Sequence, residues 1–301
     1  QENKIALLTG ATGFLGSKLL ESLVTQFDTI YCLVRGNDIN KANERLTRVL
    51  KNNKIDINNQ SKIKVILGDV SEKKLGLNSE DYENLSLNID TVYHCAANVN
   101  NILSYSQLYE ANVISTVNVA DFVFDGRDKE LHYASTLSVY VSSDKLNNNV
   151  FEEQYLENDG HRLYSGYAQS KWLSEYYLNQ INKISNNVFS YRFGLLTPSL
   201  KTLISTPNSF LSNCINDIKS IGSIPKSDIT LSMDITPLET AVDAMFYISI
   251  SNEVANIFHI STNYQLTLDE MAKRLNIDLK INTATIEDSI ASVQIKTNAE
   301  I

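Results

Sequence analysis

Cysteine is scarce in this chain: Cys32, Cys95 and Cys214 are the only three. An odd count without metal-ligand spacing argues against both a disulfide framework and a zinc site, so no metal is expected and a reducing cytoplasmic compartment fits best. Long apolar runs are also missing. None approaches the ~20 residues that a membrane helix needs, which sets a membrane-spanning role aside. Positive charge is in deficit, with 26 Lys and Arg against 35 Asp and Glu and a formal net charge of -9. Nucleic-acid binding draws on clustered positive charge, so that partner class is not expected, and any basic residue serving a phosphate has to be local. Proline is confined as well: Pro198, Pro207, Pro225 and Pro237 are the only four, and all lie beyond residue 195.

What is present suits a globular protein. With 301 residues, 43% hydrophobic and 20% charged, the chain can bury one large α/β core with a smaller lobe. The apolar strand pattern begins by Ile5 with no basic segment and apolar signal region before it. The chain opens on Gln1 rather than Met, which suggests excision from something longer.

Short β-rich runs alternate with helical patterns. "KIALLTG", "TIYCLV", "KIKVILG", "DTVYHCA", "ELHYAST" and "VFSYRFG" read as strands. Between them, "LGSKLLESLV", "NERLTRVLKN", "YEANVISTVNVADFVF" and "SKWLSEYYLNQI" carry apolar residues at helical spacing. The alternation predicts an α/β fold with a doubly wound parallel sheet of Rossmann type. Residues 1–195 form the expected dinucleotide-binding domain, to which a helix at "LETAVDAMFYI" and a strand at "NIFHIS" return, so that 234–262 rejoin the same sheet. Residues 196–233 and 263–301 form the expected interleaved substrate lobe. The Asn-rich stretch "NNKIDINNQ" reads as a surface loop.

Three of eleven glycines fall in "TGATGFLG", between the first strand and the first helix. A tight turn needs Gly10, close approach to a pyrophosphate needs Gly13, and helix-strand packing needs Gly16. Helix-end N–H groups then meet the phosphate, so Thr9, Thr12, Phe14 and Leu15 join the expected cofactor contacts. About 20 residues on, where an NAD enzyme presents an acid, the second strand ends in "LVRG" with Arg35. A guanidinium there pairs with a 2′-phosphate, which predicts NADPH over NADH. Arg45, and Arg48 beside it, add charge or are simply solvated. Asp69, with Val70 after it, ends the third strand and either accepts from an adenine amino group or caps the following turn.

A YxxxK pair occurs once, at Tyr167 and Lys171, and i, i+4 spacing stacks both on one helix face. With 15 tyrosines, roughly one such pair arises by chance, so position decides. The pair follows the fifth strand, whose end "ASTLSVY" supplies Ser135 and Thr136 at the carboxyl edge of the sheet. Hydride addition to a carbonyl builds charge on oxygen that must be held and protonated. Tyr167 is the expected acid, Thr136 the expected hydrogen-bond partner of the oxygen, and Lys171 the group that lowers the phenol pKa and meets the nicotinamide ribose. His94, His132, His161 and His259 are scattered and form no nucleophilic site.

The ordered motifs "TGATGFLG", "LVRG", "GDV", "YHCAANVN", "ASTLSVY", "YAQSKW" and "YRFG" resemble the extended short-chain dehydrogenases. The chain is more specifically similar to the thioester reductase domains that end nonribosomal peptide and polyketide synthases or follow the carrier in carboxylic acid reductases. The resemblance implies catalysis by Thr136, Tyr167 and Lys171, a cofactor lined by Ala96, Ala97 and Asn98, and a backbone ordered by Asn112. It also brings Phe193 and Gly194 to the cofactor. It implies a substrate acyl chain held as a thioester on the phosphopantetheine arm of a carrier protein or domain, reduced to an aldehyde and in some relatives on to the alcohol, within a larger synthase. Two departures stand out: Ser115 replaces a glycine that often follows the Asn-Val pair, and Phe193 a proline that often precedes the glycine. Three rival readings share parts of the pattern. A fatty acyl-CoA reductase takes a diffusing thioester, a nucleotide-sugar epimerase or dehydratase favours an acid at position 35, and a non-enzymatic NADP sensor needs no Tyr167 or Lys171.

Overall fold

The computed structural model describes residues 3–141, 156, 160–204, 209–221, 232–251, 255–262 and 264–275. Ten strands are described: β1 (Ile5–Thr9), β2 (Thr29–Val34), β3 (Ile63–Leu67), β4 (Thr91–His94), β5 (Glu130–Thr136), β6 (Val188–Phe193), β7 (Leu195–Thr197), β8 (Ser232–Pro237), β9 (Ile257–Ile260) and β10 (Gln265–Thr267). Seven of them form one parallel sheet in the order β3-β2-β1-β4-β5-β6-β9. The six sequence-predicted strands and "NIFHIS" are its members.

Parallel strands need crossover connections, which cover both faces of the sheet with helices. The helices among the described residues are α1 (Phe14–Gln26), α2 (Ile39–Asn52), α3 (Ser79–Asn88), α4 (Tyr105–Leu108), α5 (Ser115–Phe124), α6 (Gly166–Ser185), α7 (Phe210–Ile221), α8 (Leu238–Ser249) and α9 (Leu268–Arg274), with a π-helical turn at Tyr109–Ile114 joining α4 to α5. Because successive strand side chains point to opposite faces, Leu8 packs with Leu19, Leu23, Val242 and Met245 of α1 and α8. Its neighbour Leu7 packs instead with Val119, Phe122, Val123 and Leu178 of α5 and α6. Helix ends are set by local chemistry. The Asp38 carboxylate accepts from Asn40 N (2.8 Å) and Lys41 N (3.1 Å) to start α2, and Ser165 Oγ accepts from Ala168 N (3.1 Å) to start α6.

The remaining three strands make a second sheet, β10-β8-β7. With α7 and α9 it closes a separate small core around Leu211, Ile218, Met271 and Ala272. This corrects the expected return of 234–262 to the main sheet: residues 234–237 lie in β8 and pair with β7 and β10. Only α8 and β9 rejoin the large layer. Of the predicted lobe, 205–208, 222–231, 263 and 276–301, with Pro207 and Pro225, lie outside the described residues. The polar stretch "NNKIDINNQ" also differs from a plain surface loop, since Ile55 and Ile57 are buried in the core beneath α2. Among the described residues, no helix is long and apolar enough to cross a membrane.

Candidate functional site

The strand order reverses between β1 and β4, and crevices at the carboxyl ends of such strands are where open α/β sheets take ligands. The glycine turn sits there. Gly10 has φ +76, and a Cβ on it would lie 2.6 Å from Ala96 N; one on Gly16 would lie 2.2 Å from Gly10 O. Neither position tolerates a side chain without moving backbone. Gly13 caps α1 with no side-chain hydrogen bond, and no acidic residue occupies the first helical turn. Uncapped N–H groups at the positive end of a helix, beside a cradle that any Cβ would fill, fit the pyrophosphate of a dinucleotide. Thr12 is half-buried and Gly13 exposed, whereas the side chains of Phe14 and Leu15 pack into the core and leave their backbone for a ligand. Thr9 is fully buried. Its Oγ1 lies 2.8 Å from His94 Nδ1 and accepts from Ala96 N at 3.3 Å, so it ties β1 to β4.

At the outer end of the crevice Arg35 is 76% exposed, with a guanidinium nitrogen 3.9 Å from Asp69 Oδ2. Such a pair contributes little in water and leaves the guanidinium open to an anion. Asp69 Oδ1 accepts from Ser71 N (3.0 Å) and Ser71 Oγ (2.6 Å), so the carboxylate caps its own turn. Val70 O accepts from Asn118 Nδ2 at 2.9 Å. Arg45 and Arg48 are exposed on α2.

At the inner end Thr136 closes β5. Its Oγ1 donates to Ser138 Oγ (3.1 Å) and accepts from Ser138 N (3.1 Å), which starts a tight 3-10 turn at Leu137–Tyr140. Tyr167 is half-buried in the first turn of α6. Lys171, one turn further on, is buried, donates from Nζ to Ala134 O at 2.6 Å and sits 4.0 Å from the centre of the Tyr133 ring. Burial draws its pKa down to about 7, with Glu175 and Cys95 opposing the fall. The Tyr167 phenol is pushed up by desolvation. This differs from the expectation that Lys171 lowers it, and the reason is geometric: the ammonium is directed at the β5 carbonyl and the Tyr133 ring.

Asn112 joins the two ends. It lies buried in the π-helical turn, accepts from Asn98 N (2.7 Å) through Oδ1, and donates from Nδ2 to Asn98 O (3.1 Å) and Ser170 Oγ (2.9 Å). Ser170 Oγ donates in turn to Tyr167 O at 2.8 Å. The segment Ala96, Ala97 and Asn98 is thus fastened to Thr9 on one side and to the Tyr167 helix on the other. Ser115 is absorbed by the π-helical turn, its hydroxyl donating to Ala111 O (2.7 Å) and Asn112 O (3.2 Å). Phe193 is buried between Thr136 and Ile260 in register. Gly194 N donates to Ile260 O (3.0 Å) and Thr236 Oγ1 (3.1 Å), and a Cβ there would meet Asp234 O at 2.6 Å.

Sequence reasoning missed a buried cluster behind the site. Glu175 and Arg192 are both fully buried and ion-paired, and Ser135, Tyr140 and His259 bond to them. The signals that could have found it were a carboxylate four residues after Lys171 and an arginine inside an apolar strand.

A family model described as male sterility protein, an NAD-binding domain, matches residues 8–245. One component of the linear gramicidin synthase of Brevibacillus parabrevis is 28% identical over 293 residues, 96% of this chain and 6% of that protein. The L-2-aminoadipate reductase large subunit of Eremothecium gossypii is 32% identical over 242 residues, 75% of this chain and 18% of that protein. This chain therefore spans well under a quarter of either curated relative. The crystal structure of the terminal R domain from the myxalamid PKS-NRPS biosynthetic pathway superposes with a TM-score of 0.85 at 28% identity, over 94% of this chain and 73% of that one.

Proposed function

Because the chain belongs to the NAD-binding male sterility protein family, as a thioester reductase domain of the extended short-chain dehydrogenase/reductase kind, we propose that it reduces a carrier-bound acyl thioester to an aldehyde with NADPH. What supports the reading is that Lys171 bonds to the strand that ends in Thr136, while Asn112 fastens the Tyr167 helix to the segment after β4 that Thr9 ties to β1, the strand ending at the glycine turn. The reduced nicotinamide supplies the hydride when bound. Gly10, Thr12, Gly13, Gly16 and the backbone of Phe14 and Leu15 hold the pyrophosphate. Arg35, with Arg45 on the next helix, meets the 2′-phosphate, and Asp69 and Val70 border the adenine. Ala96, Ala97, Asn98, Phe193 and Gly194 line the inner half.

At the reacting centre Thr136 donates a hydrogen bond to the thioester carbonyl oxygen, and Tyr167 protonates that oxygen as the carbonyl carbon takes the hydride. Lys171, held by Ala134 O, would meet the ribose of the bound cofactor. The resulting hemithioacetal breaks its C–S bond as its hydroxyl proton passes to the departing sulfur, giving an aldehyde and a free thiol. Reduction on to the alcohol would take a second NADPH and use the same groups. The lobe of β7, β8, β10, α7 and α9 covers the acyl chain. A linked carrier reaches about millimolar effective concentration, so a weak docking contact suffices despite the chain's acidity.

The test supplies purified chain and NADPH with an acyl-pantetheine thioester, the matching acyl-CoA, or the free acid, and follows NADPH oxidation, aldehyde, alcohol and released thiol. Thioester turnover with no reaction of the acid is expected. Reduction of the acid alone, or conversion of a nucleotide sugar without thioester turnover, overturns the reading. Equal turnover of free acyl-CoA at low concentration favours the diffusing-substrate rival.

A further inference from the structure

Behind the catalytic pair lies a buried charge that the reduction chemistry does not use directly. Glu175 stands on α6 one helical turn beyond Lys171 and is fully buried. Its carboxylate accepts from Ser135 Oγ at 2.5 Å and from Arg192 Nε at 2.7 Å, with a second Arg192 nitrogen on the same oxygen. Arg192 on β6 donates in turn to the Tyr140 hydroxyl, and its terminal nitrogen lies 3.1 Å from His259 Nε2 on β9. A buried ion pair is a poor source of stability, because desolvating both charges costs about what their attraction returns. Its presence here asks for another reason, and its position supplies one. Ser135 precedes Thr136, Tyr140 ends the turn that carries the Thr136 partner Ser138, and Lys171 is four residues before Glu175.

Resting on the function proposed above, the geometry points to Glu175 as a positioning residue: it locks the strand end carrying Thr136 to the helix carrying Tyr167 and Lys171, and holds its carboxylate one helical turn from Lys171. The electrostatics around Lys171 agree. Burial is the largest influence and lowers its pKa; Glu175 is the first of the two groups that oppose this, and Cys95, directly after β4, is the other. Cys95 is itself a neutral thiol, pushed by burial up to about 12. His94 of β4 is neutral too, burial and Lys171 holding it down to about 3. Tyr133 of β5 offers its ring face, and Tyr167 on α6 has a phenol raised by desolvation. Of these groups only Glu175 is a carboxylic side chain, and it is ion-paired with Arg192.

The experiment measures kcat/KM for NADPH against pH, which reports groups of the free enzyme. In the wild type, activity falls on the alkaline side as Lys171 loses its proton, near pH 7. Glu175→Gln keeps the shape and removes the charge, so the alkaline limb moves to lower pH by about one unit and kcat falls roughly tenfold or more as the site loosens. Glu175→Asp keeps the charge on a shorter stem: its limb stays at the wild-type pH while kcat falls. Should Glu175→Gln fail to fold, a Glu175→Met/Arg192→Met pair replaces both ions by apolar groups of similar length, and its limb also moves down. A limb that stays put in the Gln or Met variants, or moves equally in Glu175→Asp, overturns the proposal. A wild type that binds NADPH without reducing thioesters overturns the proposed reaction instead; the same ordering of variants is then sought in the pH dependence of NADPH affinity.

Discussion

The two ends of the crevice are built in opposite ways. The end proposed for the phosphates is local and wet: seven consecutive residues, Gly10 to Gly16, make the turn, and Arg35 extends into water after β2 with the Asp69 carboxylate 3.9 Å away. The end proposed for catalysis is dry and assembled from afar, with Lys171 bonded to β5, Glu175 to β5 and β6, and Arg192 to β9 and the turn after β5. A substitution at the first end should change one contact, whereas one at the second should move several together, since residues in one hydrogen-bonded network are not additive.

Tyr167→Phe gives the largest expected effect and tests whether the dry end does the chemistry. The variant keeps the ring, folds and binds NADPH with wild-type affinity, but loses about 10²–10⁴-fold in turnover as the proton donor is removed. Steady-state rates and a cofactor titration separate the two, and a variant retaining most of its activity would return the Tyr-Lys pair to coincidence. Arg35→Ala comes next. It should weaken NADPH roughly 10- to 150-fold, the equivalent of one charged hydrogen bond, and leave NADH affinity and stability nearly unchanged. An unaltered NADPH/NADH ratio, measured by titrating both, would remove the phosphate role from the wet end. The smallest effect is expected at Asp38, whose carboxylate caps α2 beside Arg35. Asp38→Ala should cost about 1 kcal/mol in denaturant unfolding without changing turnover per folded molecule. A drop in kcat there would show that the two ends are less separate than their contacts indicate.

The same contrast explains what the sequence made legible. Strands such as β1 and β4 stood out because burial on both faces demands continuous apolar runs, and Ala6–Thr9 and Thr91–His94 are buried throughout. The glycine turn was legible because each glycine answers to a neighbour only a few residues away or to a single close approach. Helix α3 escaped because its buried residues, Tyr82, Leu85 and Ser86, are few and end in a serine. The split of β8 from the main sheet was hidden because a strand of six residues carries no mark of which partner it will pair with. Asp69 showed both of its readings in advance, and the cap is the one its hydrogen bonds realise. The Glu175 and Arg192 pair was illegible for a different reason. The two lie 17 residues apart on a helix and a strand, and no local spacing rule brings them together.

The three-stranded sheet has a consequence for recombining such domains. The chain leaves the large layer at Gly194, makes β7 and β8, returns for α8 and β9, and only then supplies β10 to the other edge of β8. The small lobe is therefore stitched from two stretches with a piece of the main scaffold between them. A chimera with a single junction anywhere between β7 and β10 pairs strands from different parents inside one small core. A graft that moves the lobe whole has to carry 195–237 and 265–275 from the same parent and leave 238–260 with the host.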